Sequence, residues 1–444
     1  MQVARLPRDP GPAGWAALLP PADPPMPVDR DETTDWLVIG AGFAGLGAAR
    51  RLSQLAPGDR ITVLDAMRVG DGPAGRNSGF MIDLPHDLTS DDYGGTLDRD
   101  IAQTRANRHA ISFAADMAGE WGLPRDAFDP CGKINGAASA EGAAHNRDYA
   151  RHLSAMGESY EMLDARQMKD LTGTDYYQQG LFTPGAAMIQ PARFVRGVAG
   201  HLRSNRVALR ENSPVTGLER SGGDWVAQTP GGRVRAPRVI LAVNGHLDSF
   251  GHGGGRLMHI FTYASMTRAL TPEECARLGG AATWGLTPAS PLGTTVRRTS
   301  GRDGDRIVIR NRFTFEPTPE VTDQTLARVC ATHDRAFRAR FPMLEGVEME
   351  YRWGGRLCLT RNGVGVVGEI EPGLYSACVQ NGLGTVRGLL AGLTAAEAAT
   401  GQVSDIARIV LDEDAPASLP PRPIATLGAR ARLHWGEWRA GREL

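Results

Sequence analysis

Near the amino terminus, apolar residues occur in two patterns, short continuous runs and helical spacing, which together predict a βαβ unit. Residues 35–39 and 61–64 are short runs made almost wholly of apolar residues, and residues 46–55 carry apolar positions at helical spacing. Such short, continuous apolar runs are typical of strands buried on both faces of a parallel sheet. A glycine-rich turn at residues 40–47 joins the first strand to the helix. We therefore predict strand, turn, helix and strand within about 30 residues.

The rest of the chain alternates helical and strand patterns with no internal repeat. Strand patterns fill residues 207–242 and 261–315, and residues 306–315 alternate polar and apolar positions as in a strand with one wet face. Helical spacing predicts helices over residues 97–121, 142–156, 191–202, 324–341 and 388–400, with a polar helix from residue 424 onward. Prolines crowd the first 33 residues, which predicts an extended arm.

Composition narrows the class of protein but does not identify it. The chain has 444 residues, 41% hydrophobic and 22% charged, with a formal net charge of -1. This charge supplies no overall field for nucleic acid or an anionic membrane. We expect neither a membrane span nor a signal peptide, and therefore a cytoplasmic protein. Five irregularly spaced cysteines without a CxxC pair argue against disulfides and zinc and favour free thiols.

The glycine-rich turn has the spacing of a dinucleotide-binding motif. It reads Gly40-Ala-Gly42-Phe-Ala-Gly45, between an apolar strand and a helix. The first glycine suits the tight turn, the second the approach of a pyrophosphate, and the third close packing of helix on strand. Asp65 ends the second strand, where a carboxylate can accept hydrogen bonds from a ribose diol. The motif alone does not distinguish NAD from FAD.

The following segment resembles a known family. Residues 75–79 read Gly-Arg-Asn-Ser-Gly, which is similar to a stretch of the FAD-dependent oxidoreductases of the D-amino-acid oxidase family. The nearest likeness is to its gamma-glutamylputrescine oxidoreductase branch, through Trp353-Gly354-Gly355 with Thr360 and Asn362. The resemblance also covers residues 233–245 and the late glycine turn at residues 381–385, and spans about residues 31–404.

The resemblance implies a cofactor and the residues that hold it. FAD is expected to be non-covalent, because Gly355 stands where some relatives tether the flavin through a cysteine; Leu383 stands where relatives often have histidine. Arg76 is expected to offset phosphate charge, and Asn77 and Ser78 to supply hydrogen bonds. The predicted cofactor contacts are Gly40, Gly42, Phe43, Ala44, Gly45, Asp65, Ala66, Arg76, Asn77, Ser78, Gly79, Met81, Val215, Asn244, Gly245, Gly355, Gly382, Leu383, Gly384 and Thr385.

Candidate catalytic residues are fewer, because a flavin performs the redox step itself. His259 and Tyr263 lie four residues apart on a predicted strand that lines the substrate pocket in the family, and Arg310 on another strand can hold a carboxylate. Each could equally be a structural residue. Arg312 is a similar candidate for the carboxylate, and Asp83 and His86 for an approach to the flavin.

These observations predict a two-lobed α/β protein. A Rossmann-like FAD-binding domain is expected from residues 34–95, 181–255 and 350–404, with a substrate domain on a mixed or antiparallel sheet from residues 96–180 and 256–349. Residues 1–33 form the arm and 405–444 a carboxyl-terminal tail. The implied activity is oxidation of a small amine or amino acid, with oxygen or another final acceptor. A nicotinamide-dependent dehydrogenase and a non-catalytic flavoprotein subunit remain alternatives.

Overall fold

A computed structural model describes residues 1–85 and 94–444 of the chain. Its helices are α1 Gly14–Ala17, α2 Phe43–Leu55, α3 Leu97–Glu120, α4 Ala140–Ala155, α5 Ala165–Thr172, α6 Pro191–Leu202, α7 Pro272–Leu278, α8 Asp323–Arg340, α9 Val386–Thr400, α10 Asp405–Leu411 and α11 Arg422–Ala440. Its strands are β1 Glu32–Thr33, β2 Trp36–Ile39, β3 Ile61–Leu64, β4 Phe80–Met81, β5 Lys133–Ala137, β6 Glu161–Leu163, β7 Gln179–Thr183, β8 Ala187–Met188, β9 Val207–Arg210, β10 Gly217–Ser221, β11 Asp224–Thr229, β12 Gly232–Ala236, β13 Arg238–Leu241, β14 Met258–Thr267, β15 Trp284–Pro288, β16 Thr295–Thr299, β17 Arg306–Glu316, β18 Met349–Leu359, β19 Val366–Glu371 and β20 Leu374–Cys378.

The predicted βαβ unit forms the centre of a largely parallel sheet. Its strand order is β19-β20-β13-β2-β3-β9, and every neighbouring pair from β20 to β9 is parallel. Strand β19 pairs antiparallel to β20 at one edge. Helix α2 connects β2 to β3 as the sequence predicts, and the late glycine turn connects β20 to α9.

This sheet is covered on both faces, which explains its unbroken apolar strands. Val38 of β2 packs against the side that carries α2, α6 and α9. Its neighbours Leu37 and Ile39 pack on the other side against a smaller sheet of order β1-β12-β11-β10. Because side chains alternate across a strand, both faces need apolar residues when both are buried.

A second large sheet forms the other lobe. Its order is β18-β14-β17-β16-β15-β5-β7-β6, with antiparallel neighbours except for the parallel pair β15 and β5. Helix α8 packs against β14, β17 and β18. The fold class predicted from the sequence, a two-lobed α/β protein with a mixed second sheet, is confirmed.

The structure corrects the predicted division of the chain at two places. Strand β18 pairs with β14 in the mixed sheet, although residues 350–359 were expected in the FAD-binding domain. Strand β7 places residues 181–183 in the same sheet. Strand β18 belongs to the mixed sheet because it pairs along its length with β14. Gly355 at its middle approaches the loop at Arg76, which is the contact that the resemblance reflects. The remaining boundaries stay a prediction.

Helices α2 and α9 approach each other at glycines. A methyl group on Gly392 of α9 would lie 2.0 Å from the backbone oxygen of Ala44 in α2. A methyl group on Gly47 of α2 would lie 2.6 Å from the side chain of Leu389. Backbone contact of this kind leaves no room for a side chain, so the spacing between the two helices depends on these glycines.

We therefore predict that Gly392→Ala lowers the melting temperature markedly, because it forces a methyl group into the backbone of α2 at a cost of about 3 kcal/mol or more. Thermal unfolding followed by circular dichroism measures the effect. Gly200 is the matched control, since it lies exposed in α6 with open space around it. Gly200→Ala should leave the melting temperature unchanged or raise it. Equal melting temperatures for the two variants would contradict the packing argument.

Candidate functional site

A long cavity lies at the carboxyl ends of the parallel strands, where α/β sheets commonly bind ligands. Its walls come from both lobes and from the amino-terminal arm. The predicted site residues that line it are Gly40, Gly42, Phe43, Ala44, Asp65, Ala66, Arg76, Asn77, Ser78, Val215, Asn244, Gly245, His259, Tyr263, Arg310, Gly355, Gly382, Leu383, Gly384 and Thr385. The tertiary structure thus collects segments that are far apart in sequence around one space.

The turn between β2 and α2 has the local geometry that its glycines suggest. Gly40 has a φ of +105°, and a methyl group there would lie 2.5 Å from the oxygen of Ala242. A methyl group on Gly45 would lie 1.7 Å from the oxygen of Gly40, so Gly45 serves helix packing and does not line the cavity. Gly42 caps α2 without a side-chain hydrogen bond. The amino terminus of α2 therefore presents backbone N–H groups to an anion.

Asp65 follows β3 and faces the same end of the cavity. One carboxylate oxygen accepts a hydrogen bond from the backbone N–H of Ala41 at 2.8 Å, and the other from Met67 at 2.8 Å. Burial raises the pKa of Asp65 to about 6, although these two backbone hydrogen bonds lower it. Asp65 is therefore an acceptor whose charge depends on pH near neutrality.

The loop at residues 75–79 is held from outside through its backbone carbonyls. Trp353 Nε1 donates to the oxygen of Arg76 at 2.9 Å, and Trp15 Nε1 donates to that of Asn77 at 2.9 Å. Arg297 Nη1 donates to the oxygens of Ser78 and Gly79 at 3.3 and 3.2 Å. Four successive carbonyls are thus engaged on the protein side of the loop.

Two side chains of this loop do not have the role that the sequence suggests. Arg76 donates to the backbone oxygens of Asp71, Pro10, Gly11 and Gly354 at 2.7, 2.9, 2.8 and 3.2 Å, so its guanidinium anchors chain segments instead of offsetting phosphate charge. Burial lowers the pKa of Arg76. Asn77 donates to the oxygen of Ala74 and accepts from the N–H of Gly79, and so stabilises the turn itself.

Gly79 and Met81 also lie outside the cavity lining. A methyl group on Gly79 would lie 2.0 Å from Nη1 of Arg297, so this glycine makes room for a buried guanidinium. Met81 is fully buried in the core between the sheet and its helices. Both support the loop from behind, and the resemblance overstated their direct part in the site.

In the opposite wall and next to it, the backbone takes left-handed conformations at three residues other than glycine. Asn244 after β13, and Val379 and Asn381 after β20, have φ values of 48°, 64° and 48°. A β-branched residue such as Val379 rarely adopts this region, and such strain clusters at functional sites. Among the described residues, Oδ1 of Asn244 is one of the buried atoms without a hydrogen-bond partner. A bound molecule can supply the missing donor.

The amino-terminal arm closes part of the cavity, which the sequence did not reveal. Val3, Arg5, Leu6 and Pro7 line it. The arm is held along its length by hydrogen bonds from the N–H of Val3 to the oxygen of Thr216 at 3.0 Å and from that of Ala4 to Ser249 at 2.9 Å. Farther on, the carboxylate of Asp9 lies 3.2 Å from Nη2 of Arg356. The arm is therefore a fixed wall of the site.

His259 has a partner that sequence reasoning missed. Its Nε2 lies 2.9 Å from Oδ2 of Asp248, and its Nδ1 lies on the side of Gly245 in the cavity wall. Burial alone would raise the pKa of Asp248, but the hydrogen bond from His259 and the neighbouring His246 keep it below its ordinary value. A carboxylate at Nε2 favours the proton there and leaves Nδ1 as an acceptor.

Tyr263 is less accessible to a ligand than expected. Its hydroxyl pairs with Thr314 Oγ1 at 2.6 Å, and its ring belongs to a core cluster with Leu326 and Val329 of α8. The pairing of β14 with β17 shifts register between Thr262 and Tyr263, because the pairing skips Arg312 of β17, while β14 stays in register with β18 at the same place. Tyr263 lines the cavity with its hydroxyl already engaged, and its neighbour Thr262 lines the cavity with a buried hydroxyl that lacks a partner among the described residues.

The two arginines on β17 separate into different roles. Arg310 lines the cavity, with its guanidinium carbon 4.5 Å from the ring centre of Phe313. Arg312 forms an ion pair with Glu437 of α11 at 2.5 Å and so does not serve the cavity. Asp83 is buried against Arg108 at 2.9 Å and away from the lining, and His86 lies outside the described residues.

Comparison with known proteins identifies the cofactor. The family model of the FAD-dependent oxidoreductases, named DAO, matches residues 35–398. The chain belongs to this family. This FAD-dependent oxidoreductase is 26% identical over 420 residues to a probable oxidoreductase OrdL of Rhizobium meliloti, covering 90% of this chain and 91% of that one. It is also 26% identical over 415 residues to the gamma-glutamylputrescine oxidoreductase of Escherichia coli, covering 88% of each.

Solved structures share the fold of this FAD-dependent oxidoreductase. Glycine oxidase from Geobacillus kaustophilus superposes with a TM-score of 0.68 at 17% identity, covering 84% of this chain and 96% of that one. Iminodiacetate oxidase from Chelativorans sp. has a TM-score of 0.66 at 18% identity, covering 83% and 96%. Within residues 1–85 and 94–444, no cluster of side chains could hold a metal ion and no helix could cross a membrane.

The residues of the cavity fit FAD. The uncapped amino terminus of α2 suits the pyrophosphate and Asp65 the ribose, while the unpartnered Oδ1 of Asn244 can accept a hydrogen bond. The amino terminus of α9 would stabilise negative charge on the ring system. Gly355 provides no thiol, and Cys358 is buried with a pKa raised by burial, which supports non-covalent FAD.

Binding of FAD should depend on the charge of Asp65. The ribose hydroxyls would donate to its carboxylate, so affinity should rise about tenfold from pH 5 to pH 7 as the proton with a pKa of about 6 is lost. Asp65→Asn should remove this slope and weaken binding about tenfold to hundredfold at pH 7. Quenching of FAD fluorescence by apoprotein measures both. Asp116→Asn, exposed on α3 and outside the lining, should behave as wild type; a slope retained in Asp65→Asn would refute the assignment.

The arm should slow the release of FAD. Deletion of residues 2–7 removes the wall formed by Val3, Arg5, Leu6 and Pro7, and it should raise the FAD dissociation rate roughly tenfold through lost apolar contact. The rise of free flavin fluorescence after dilution measures this rate. Arg8→Ala is the control, because Arg8 is exposed on the same arm but does not line the cavity. Unchanged release from the deletion variant would show that the wall is dispensable.

Proposed function

We propose that this FAD-dependent oxidoreductase oxidises a small amine or amino acid at the carbon next to nitrogen, giving an imine that hydrolyses to an aldehyde or oxo acid. The observation that carries the proposal is the cavity wall formed by the mixed sheet, which brings Thr262 and Arg310 to the same cavity as the FAD-binding segments. The relatives named above include enzymes of gamma-glutamylputrescine, glycine and iminodiacetate oxidation, which supports the same substrate class. When bound, FAD supplies the redox chemistry by accepting a hydride.

The charge of this wall favours a substrate with a carboxylate. The lining residues contributed by the mixed sheet include Arg310, and Arg356 that pairs with Asp9 of the arm, but no carboxylate. The one lining carboxylate among the described residues is Asp65 at the end of β3. Arg310 can hold a substrate carboxylate. The hydroxyl of Thr262 can accept a hydrogen bond from the amine or donate one to it. A polyamine without a carboxylate would meet only like charge or neutral groups on this wall.

His259 is the candidate proton acceptor of this site. Its Nδ1 faces the Gly245 side of the cavity while Asp248 holds Nε2. An imidazole whose Nδ1 is left as an acceptor can take a proton from an arriving ammonium group. Tyr263 keeps only a structural part in the proposal, since its hydroxyl is engaged by Thr314.

A non-catalytic flavoprotein subunit of a larger oxidase is the second candidate. Its test is the same as that of the main proposal, because such a subunit would bind FAD but would not be reduced by any amine. A nicotinamide-dependent enzyme is disfavoured by membership of the FAD-dependent family.

The test is an anaerobic screen of amines and amino acids for bleaching of the flavin absorbance, followed by stopped-flow reduction with the best substrate. At sub-saturating substrate the rate should climb from pH 6 to pH 9, because hydride leaves a carbon next to a neutral nitrogen and free alkyl amines titrate near pH 10. A rate that falls over this range would contradict the neutral-amine step. Bleaching by NADH or NADPH alone would overturn the function.

Arg310→Gln separates substrate binding from folding. For a carboxylate substrate it should raise KM about a hundredfold, since a charged hydrogen-bonded pair is lost, with a smaller change in kcat. Arg312→Gln is the matched control on the same strand, where the side chain pairs with Glu437. It should leave KM near the wild-type value. Equal effects of the two variants would remove Arg310 from the proposed substrate site.

A further inference from the structure

The carboxyl-terminal helix α11 is apolar on two opposite sides. Its inner side packs on the mixed sheet through Ala429 and Leu433, which contact a cluster containing Phe313 and Phe315. A methyl group on Gly436 would lie 2.3 Å from the side chain of Leu292, so the helix lies close against the protein there. The ion pair of Glu437 with Arg312 fixes the same side.

The outer side exposes large apolar side chains. Ile424, Leu427, Trp435 and Trp438 are 63%, 71%, 59% and 78% exposed. At about 100° per residue these four positions, with the exposed Ala431 between them, fall within a stripe about 80° wide along the helix. Single exposed apolar residues are ordinary, but two tryptophans in line with Ile424 and Leu427 on one helix mark an interaction surface.

Basic side chains border this stripe on both sides. Arg430 and His434 lie along one edge, and Arg432 and Arg439 lie along the other; all four are exposed. The acidic residues of this region face inward, because Glu437 pairs with Arg312 and Glu443 is buried against the backbone of Ala138. The outer side of α11 therefore combines tryptophan, leucine and isoleucine with positive charge alone.

We propose that α11 docks this protein on an anionic phospholipid surface. The helix would lie in the plane of the surface, with the tryptophans at the headgroup boundary and the arginines reaching the phosphates, as in interfacial amphipathic helices. The charge of the stripe's borders is complementary to anionic headgroups and adds to the apolar contact.

A second copy of the chain is a poorer occupant of this surface. Two stripes placed face to face would bring the arginines that border each stripe together, and like charges at close range oppose association. An acidic protein partner shares the charge argument, and the experiment below separates it.

The experiment is co-sedimentation of the FAD-loaded full chain with vesicles. Vesicles of phosphatidylglycerol and phosphatidylcholine in equal parts should bind it at low salt, while phosphatidylcholine alone should bind it at least about tenfold less, and high salt should release it. The comparison between the two vesicle compositions uses the unmodified protein, so its result does not depend on the folding of a variant. Absence of binding to the anionic vesicles would overturn the proposal.

Variants then test the stripe itself. Trp435→Ser with Trp438→Ser should lower the bound fraction about tenfold or more, because their apolar contact is lost. The matched control is Leu97→Ser with Ile101→Ser, two residues about 40% exposed at one end of α3, which should bind as wild type. Retained FAD verifies folding of each variant. Lipid docking would be refuted if the tryptophan changes left vesicle binding unaffected. It would also be refuted if light scattering showed a dimer that these changes abolish. If polyglutamate captured the protein and vesicles did not, the partner would be an acidic protein instead.

Discussion

The site depends first on the backbone contact between α2 and α9. Glycines on both helices let the two axes approach until Gly392 meets the backbone of Ala44. Because both helices follow strands of one parallel sheet, this contact sets their amino termini side by side at the edge of the cavity. Two positive helix ends then face the same cavity, which is an arrangement suited to a cofactor that carries phosphates and becomes more negative on reduction.

A second constraint is that the backbone carbonyl groups of the loop at residues 75–79 need hydrogen-bond donors. Two tryptophans and Arg297 donate to four successive carbonyls of that loop, and Arg76 donates to carbonyls of the arm and of β18. Burial of a guanidinium is costly unless its donors are satisfied, and here each bond also ties one segment to another. Loop, arm and mixed sheet are therefore linked through Arg76 and its neighbours, so the parts of the cavity wall that each contributes are held as one unit.

Segments with a strong local pattern were predicted correctly, and residues whose role depends on distant neighbours were not. The βαβ unit follows from its apolar runs and its glycine spacing. Its turn needs a glycine at φ +105°, and its helix packs closely on the strand only through a glycine, so a few neighbouring residues specify it. Tyr263 lines the cavity, but nothing in the sequence shows that Thr314 on β17 engages its hydroxyl. Asp248 was missed because nothing in the sequence shows that a short turn after β13 returns to β14.

The sequence by itself determined the fold class, the family and the cofactor, because these depend on hydrophobic periodicity and on glycines that a few neighbouring residues make necessary. Tertiary structure alone decided that Arg76 anchors the arm, that Thr262 rather than Tyr263 presents a hydroxyl to the cavity, and that residues 3–7 form a wall of it. The physical reason is that a polar side chain takes its role from the partner that satisfies it after folding. Partners such as Pro10 and Gly354 are brought to Arg76 only by the packing of distant segments, which no local pattern encodes.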